Sequence, residues 1–355
     1  MKKFAAVAMS GGVDSSVAAA LLKEQGYEVV GLTMCFNLEE HDGKKPSCCG
    51  LTGIEDARRV CQKLGIRHYL INLDKDFHRD VIRNFYQEYA SGRTPNPCVR
   101  CNQFIKFGIL LKKALNLGAK FLATGHYARI VKSKRGYLLR KAKDFKKDQS
   151  YFLYRLNQEQ LKHIIFPLGN FGKPKVRDMA GDFGLNVAEK QDSQEICFLP
   201  DGKHRDLIKA KGLNSVKPGN LVDKDGNILG PHQGIPFYTI GQRHGLGIAR
   251  GYPLYVTQIN AEDNRITVGR RQDVYRSEFI VKEGHFLNKP FKNKVEIKVR
   301  IRYNHKEMPA VVYPVKDKLK VIFKKPQFAI TPGQSAVFYD KDIVLGGGII
   351  EKVIN

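Results

Sequence analysis

From Phe4 to Gly125 the chain repeats one pattern: a short apolar run, a break, then a segment whose apolar residues fall three or four apart. Phe4–Met9 is apolar throughout and gives way to Ser10-Gly11-Gly12, after which Ser15–Gln25 places Val17, Leu21 and Leu22 on one helical face. Tyr27–Cys35 reads as the next strand, and Ile54–Leu64 as a helix through Ile54, Ala57, Cys61 and Leu64. His68–Leu73 is a strand, and Phe77–Tyr89 a helix showing Phe77, Val81, Phe85 and Tyr89. A helix over Ile105–Leu115 and a strand over Lys120–Gly125 complete the series. Parallel strands need a crossover long enough to hold a helix, so this alternation predicts an α/β fold, a parallel sheet with helices on both faces.

The C-terminal part obeys a different period. In Lys294–Tyr303 every odd position is apolar or aromatic and every even one charged, the mark of a half-buried antiparallel strand. Further short strands at Ala310–Val315, Leu319–Phe323, Ser335–Tyr339 and Ile343–Ile350 predict closure into a small antiparallel β-barrel. Thr94–Pro97 and the glycine-rich Gly226–Gly251 read as loops. With 355 residues and 42% hydrophobic content the chain can build two or three cores, and 27% charged with 10% aromatic residues excludes a disordered chain.

No apolar run approaches the ~20 residues that span a bilayer. The opening Met1–Met9 has the basic start of a signal peptide, but it is too short and runs straight into glycines, so the expected location is cytoplasmic. Seven cysteines, an odd number in a large chain of this kind, argue against a disulfide framework and favour catalytic or metal roles. The net charge of +25 fits either lysine-rich composition or a polyanionic partner. Its distribution favours the partner: Arg129–Lys147 holds nine Lys or Arg against the single acid Asp144, the footprint expected for a nucleic acid.

Ser10-Gly11-Gly12-Val13-Asp14-Ser15-Ser16 joins a predicted strand to a predicted helix. Glycines let backbone amides crowd a phosphate, the helix start adds its positive dipole end, the serines supply hydroxyls, and Asp14 is placed to hold Mg²⁺. The loop has neither the lysine of a Walker loop nor the G-x-G-x-x-G spacing. It resembles the PP-loop of the ATP pyrophosphatase superfamily, which implies that ATP is cleaved between its α and β phosphates and that AMP passes to a substrate oxygen.

Two cysteine segments narrow the resemblance: Thr94-Pro95-Asn96-Pro97-Cys98-Val99-Arg100-Cys101-Asn102 and Asp192-Ser193-Gln194-Glu195-Ile196-Cys197-Phe198. With Gly125-His126-Tyr127, Lys147-Asp148-Gln149-Ser150-Tyr151 and Thr239–Gly247, they are similar to the tRNA-specific 2-thiouridylase family over essentially the whole chain. The resemblance implies a PP-loop catalytic domain of the adenine nucleotide α-hydrolase type (1–163 and 186–204), a small central domain (164–185 and 205–272) and a tRNA-binding barrel (273–355). It implies ATP held by Ala8, Met9, Ser10, Gly11, Gly12, Val13, Asp14, Ser15, Met34 and Gly125. It further implies adenylation of the C2 oxygen of a wobble uridine, with Cys197 carrying sulfur as a persulfide and Cys101 freeing it by disulfide formation. Asn96, Pro97, Cys98, Lys147, Asp148, Gln149, Arg302, Tyr303 and Gln334 match tRNA-contacting positions, and His126, just after a sheet strand, is placed near the tRNA. The implied partners are tRNA and an upstream persulfide or sulfide donor, with no membrane and no DNA.

One position departs from the family pattern. Cys98 stands where many members carry an aspartate proposed as acid/base helper. Cys98, Cys101 and Cys197 form a set that suits either persulfide chemistry or three irons of a 4Fe-4S cluster, and zinc would need a fourth ligand such as Cys48 or Cys49. Cys61 falls on an apolar helical face and reads as core, Cys35 as a residue buried at a strand end, and Cys48-Cys49 as exposed loop thiols. His244 replaces the family's usual lysine. A metabolite-adenylating ligase would leave the barrel and the cysteine segments unexplained, and a binding protein with a decayed loop is at odds with an intact Asp14 and three loop serines.

Overall fold

The computed structural model describes residues 3–36, 50–134, 136–190, 196–199, 204–211, 213 and 216–354. Cys48, Cys49, Asp192–Glu195 and Arg135 therefore lie outside the described residues. In chain order the first elements are β1 (Phe4–Ala8), α1 (Val13–Glu24), β2 (Glu28–Cys35), α2 (Gly50–Lys63), β3 (Arg67–Asn72), α3 (Asp74–Phe77), α4 (Arg83–Ala90), α5 (Pro97–Arg100) and α6 (Leu111–Asn116). There follow β4 (Phe121–Ala123), β5 (Ala128–Ser133), β6 (Gly136–Lys141), α7 (Gln158–Lys162), β7 (Ile164–Ile165), α8 (Lys173–Asp182) and α9 (His204–Ala210). The remaining strands are β8 (Gly219–Val222), β9 (Ile228–His232), β10 (Tyr255–Asn260), β11 (Arg265–Gly269), β12 (Tyr275–Phe286), β13 (Val295–Arg300), β14 (Met308–Val315), β15 (Lys318–Phe328), β16 (Ser335–Asp340) and β17 (Ile343–Ile354).

The chain forms two compact units, the first of residues 1–81, 98–202 and 342–345. Its centre is a wholly parallel sheet in the order β3-β2-β1-β4-β7. From β1 the chain first builds outward through β2 and β3, then returns to the other side of β1 with β4. The C-terminal ends of β1 and β4 are thus the switch point, where open α/β sheets hold ligands. Ala5, Ala6 and Val7 of the central strand are wholly buried, and Val17, Leu21 and Leu22 of α1 pack in the same core. Burial of each such Val or Leu side chain stabilises the fold by about 1.5–3 kcal/mol. β3 is an edge strand, which leaves Tyr69 and Leu70 exposed.

Two expectations change here. The helix read over Ile105–Leu115 begins earlier, with α5 and a π-helical stretch Cys101–Leu110 running into α6, and this turns Cys101 into the core. The segment 164–185 contributes to this first unit: β7 extends the parallel sheet, and Val176 and Ala180 of α8 bury against the α1 core.

The second unit comprises residues 82–97, 203–341 and 346–355. It holds a four-stranded sheet, β10-β11-β8-β9, and an antiparallel barrel in the order β12-β15-β14-β13-β16-β17 that β12 and β17 close. The alternation read over Lys294–Tyr303 is realised in β13, where Glu296 and Lys298 are exposed and Val299 buried, with Ile301 buried just past the strand end.

Candidate active site at the sheet switch point

The Ser10–Ser16 loop leaves the C-terminal end of β1 and enters α1 at Val13. The loop is tied internally: the Ser10 amide donates to Ser15 Oγ (3.2 Å), and Ser15 and Ser16 hydroxyls donate to the Gly12 carbonyl (3.1 and 2.8 Å). The first-turn amides of α1 have no intrahelical acceptor, so they remain available to an anion. Gly11 has φ +71°, and a Cβ there would sit 2.1 Å from the Gly53 carbonyl oxygen of α2. Across the switch point, a Cβ on Gly125 would stand 2.7 Å from the backbone of Asp14 and Ser15. Both glycines are required by close approach of backbone to backbone. Met9 is buried, Ala8 and Met34 are half-buried at the strand ends, and Ser10 is exposed at the loop tip.

Asp14 is the hub. Its Oδ1 accepts from Tyr127 Oη at 2.7 Å and from Lys173 Nζ at 2.7 Å. Lys173, only 7% exposed, begins α8, and its own amide donates to Asp144 Oδ2 (3.1 Å). A second lysine, Lys190, donates to the Gly11 carbonyl (3.1 Å) and pairs with Asp56 (2.7 Å). The loop has no lysine of its own, and the fold supplies two from later in the chain. Sequence reasoning missed Lys173, Lys190, Tyr127 and Asp56. One signal was present, since Lys173 precedes Pro174 at a helix start, an end whose dipole disfavours a cation.

Gln149 holds Tyr127 from the other side: its Oε1 accepts from the Tyr127 amide (3.0 Å), and its own amide donates to the Tyr127 carbonyl (2.9 Å). Asp148, read from sequence as a tRNA contact, is 2% exposed and accepts from the Ala142 amide and from the Ser150 amide and hydroxyl. Gln149 thus braces Tyr127 and, through it, Asp14, while Asp148 ties Ala142 to Ser150. The basic stretch Arg129–Lys147 is divided in the same way. Arg129 and Arg140 pair with Asp342, and Lys141 is buried, whereas Lys132, Lys134, Lys143 and Lys146 face solvent.

His126 follows β4, its Nδ1 2.7 Å from Thr124 Oγ1 and its ring set between Phe107 and Phe166. Burial, and secondarily the charge of Lys106, push its pKa well below the usual imidazole value, so the ring is neutral.

Cys98 lies half-buried on α5, Cys101 is buried, and Cys197 is exposed. Burial, and then the nearby charge of Cys197, push the Cys98 thiol up to about 12. The two cysteines are therefore within electrostatic reach of each other. Among the described residues no group of three His, Cys, Asp or Glu side chains converges closely enough to hold a metal ion. Cys98, Cys101 and Cys197, the set read from sequence for persulfide or 4Fe-4S chemistry, are not gathered into such a group in this structure. Cys61 is core, its thiol raised by burial to about 11, and Cys35 is half-buried at the end of β2.

In the second unit, Gln334 Nε2 donates to the carbonyls of Thr94 (3.1 Å) and Pro95 (2.9 Å), just before Asn96 and Pro97. Arg302 Nη2 donates to the Phe328 carbonyl (2.8 Å), and the Arg300 guanidinium lies over the Tyr303 ring. No helix among the described residues is long and apolar enough to cross a membrane.

Three family models match in succession: the tRNA methyl transferase HUP domain over residues 3–201, the tRNA methyl transferase PRC-barrel domain over 208–270 and the aminomethyltransferase beta-barrel domain over 276–350. The tRNA-specific 2-thiouridylase MnmA of Clostridium acetobutylicum is 49% identical, covering 99% of this chain and 100% of its own. MnmA 1 of Caldanaerobacter subterraneus subsp. tengcongensis is 52% identical, covering 98% of each. A solved 4-thiouridine synthetase–RNA complex with bound ATP aligns at 18% identity and TM-score 0.36 over 53% of this chain and 43% of its own, too slight a likeness to argue from. Near-half identity along the full length of both chains, over a parallel-sheet domain followed by two β domains, leaves one conclusion: the chain belongs to the tRNA-specific 2-thiouridylase MnmA family.

Proposed function

We propose that this enzyme converts the wobble uridine of tRNA to 2-thiouridine, using ATP to activate the C2 oxygen and a cysteine persulfide to deliver the sulfur. The observation that carries the reading is Asp14, held by Lys173 and Tyr127 beside a phosphate-binding loop, in a chain of this family. ATP binds with its phosphates on the amides of Gly11–Ser15 and its base toward Met34. Mg²⁺, when bound with the phosphates, adds positive charge at Asp14, since a magnesium site of this kind needs one carboxylate plus phosphate oxygens. Lys173 and Lys190 stabilise the negative charge that gathers on departing pyrophosphate.

The uridine C2 oxygen attacks the α-phosphorus, pyrophosphate leaves, and the oxygen becomes part of an AMP leaving group. Cys101 then attacks Sγ of the Cys197 persulfide. A Cys101–Cys197 disulfide forms and hydrosulfide is expelled. Hydrosulfide adds to C2, loses its proton and displaces AMP, and an external thiol reductant returns two electrons to the disulfide. Cys98, held protonated at neutral pH by its burial, is unsuited to nucleophilic attack. In the first unit His126 and Lys147, and in the second Asn96, Pro97, Arg302, Tyr303 and Gln334, are assigned to tRNA contacts, with Gln149 acting through Tyr127.

The test is mass spectrometry of tRNA nucleosides after incubation with ATP, Mg²⁺, a persulfide donor and a thiol reductant, with AMP and pyrophosphate followed in parallel. 2-Thiouridine together with tRNA-dependent AMP is the expected result. AMP release that ignores tRNA, or sulfur arriving at another position, would overturn the reading.

A further inference from the structure

In the second unit the ring of Phe328, at the end of β15, collects groups from four parts of the chain. Arg302 and Arg271 bring their guanidinium carbons to 6.0 and 5.8 Å from its centroid. Tyr275 and Tyr255 meet it edge-on at 5.5 and 6.0 Å. Gly241, in the Thr239–Gly247 motif, packs so closely that a Cβ there would lie 3.1 Å from the ring and 2.6 Å from Ala329 Cβ. Arg243 and His244 follow two and three residues later and are exposed. Beside this hub, Arg270 lays its guanidinium 4.5 Å from the centroid of Tyr252.

The charge balance of this face is one-sided. Asp273 is the acid within the 270–276 turn, and its Oδ2 is engaged by the Arg270 backbone amide at 2.7 Å. Neither the Arg270 nor the Arg271 guanidinium has a carboxylate partner among the described residues, and both residues are exposed. An arginine laid flat on an aromatic ring keeps its N–H fork free at the edge and loses little further entropy when it meets phosphate. Tyr252 (43% exposed) and Tyr275 (37%) supply apolar faces between the charges. Arginine forks alternating with exposed rings suit a ribose–phosphate chain, whose anionic backbone and flat bases present the same alternation.

We infer that the face formed by Arg270, Arg271, Tyr252 and Tyr275 around Phe328 is an RNA-binding surface that extends the Arg302–Tyr303 contact and holds the body of the tRNA. The inference rests on the functional reading above for the identity of the RNA, and its test separates the two. Arg270 and Arg271 contact phosphates, and Tyr275 lies against a base or ribose.

Binding of unmodified tRNA is measured over a salt series for wild type, Arg270→Gln, Arg271→Gln and the double variant, with thermal melts to verify folding. Each single change is expected to raise Kd about 3–10-fold at ~0.1 M salt and to lower the salt slope by about 0.7–0.9, with kcat at saturating tRNA unchanged. Because the chain contains no tryptophan, Tyr275→Trp provides a lone reporter, and its emission is expected to change on adding tRNA but not on adding heparin. Wild-type Kd and slope in the double variant, with an unresponsive Trp, would overturn this surface even if thiolation is confirmed. A wild-type protein that binds tRNA through these arginines yet transfers no sulfur would overturn the functional reading and leave the surface standing.

Discussion

Lys173 Nζ and Asp14 Oδ1 lie 2.7 Å apart although their residues are 159 positions apart in sequence. The pair places a nearly buried cation at the mouth of a phosphate loop that has none of its own. Lys173→Met should therefore lower tRNA-dependent pyrophosphate release by about 10²–10³-fold, the scale seen when one preorganised charge is removed from a reacting centre. Asp14→Asn should do the same while leaving tRNA binding intact. A Lys173→Met enzyme within about threefold of wild type would mean that the pair only tethers α8 to α1.

Gly125 and the start of α1 approach so closely that a methyl group would strike the Asp14 and Ser15 backbone at 2.7 Å. Gly125→Ala must push the loop aside, an overpacking cost of about 1–3 kcal/mol. The expected outcome is a lower melting temperature and a raised KM for ATP. Gly118→Ala is the control: Gly118 has φ +87° but open space around it, so it carries backbone strain without touching the loop. Equal effects of the two substitutions on KM would sink the argument.

The Cys98 thiol, raised from 9.0 to about 12 chiefly by burial, is protonated throughout the physiological range. A raised folded-state pKa favours the fold fully below about pH 9, and that contribution is lost with a slope of up to ~1.4 kcal/mol per pH unit as pH rises from 9 toward 12. In alkylation at pH 8 followed by peptide mass spectrometry, exposed Cys197 should be modified well before Cys98, with Cys98 labelling rising about tenfold per pH unit. Cys101→Ser should abolish sulfide release from the persulfide enzyme, and Cys98→Ser should retain it. Early labelling of Cys98 would contradict the assignment of a protonated thiol.

The parallel sheet was legible because its signal is local: apolar runs and helical periods alternate within windows of ten to fifteen residues, as Phe4–Met9 and Val17–Leu22 illustrate. The β13 alternation was legible for the same reason. What could not be read was convergence. Nothing near Asp14 in sequence announces Lys173, Lys190 or Tyr127, which only the α/β crossovers bring to it. Side-chain direction was not legible from the motifs either. Asp148 sits in a tRNA-contact motif yet is buried, and in the β5–β6 hairpin Arg129 and Arg140 pair with Asp342 while Lys141 is buried. A linear count of lysines and arginines carries no such information.

His126, kept neutral by burial, binds its proton less readily in the fold than in the unfolded chain. The sign follows: its contribution is present above the ordinary imidazole pKa of about 6.5 and is lost as pH falls through that value, when only the unfolded state takes up the proton. His126→Gln should flatten the acid side of the stability curve below pH 6.5 by up to ~1.4 kcal/mol per pH unit. Histidine ¹³C-NMR should show no titration of His126 between pH 8 and 6. A midpoint inside that range would disprove the neutral ring.

Gln334 donates both bonds of its side-chain amide to the Thr94–Pro95 turn, while the Thr94 amide donates to the Pro332 carbonyl at 2.9 Å. Arg93 adds bonds to the Ile350 and Glu351 carbonyls, and a Cβ at Gly333 would meet the Thr94 oxygen at 2.7 Å. The turn that leads into Asn96-Pro97-Cys98 is therefore stitched to the barrel, with Gln334 as a positioning residue. In Gln334→Glu a carboxylate would face two carbonyl oxygens with no proton to give, so the turn should detach. A buried acceptor left unpaired costs about 1–3 kcal/mol. The expected signature is faster tryptic cleavage after Arg93 together with a raised KM for tRNA and an unchanged KM for ATP, with Gln334→Ala intermediate. If KM for tRNA rises while cleavage at Arg93 stays at the wild-type rate, Gln334 acts by touching the RNA and not by holding the turn.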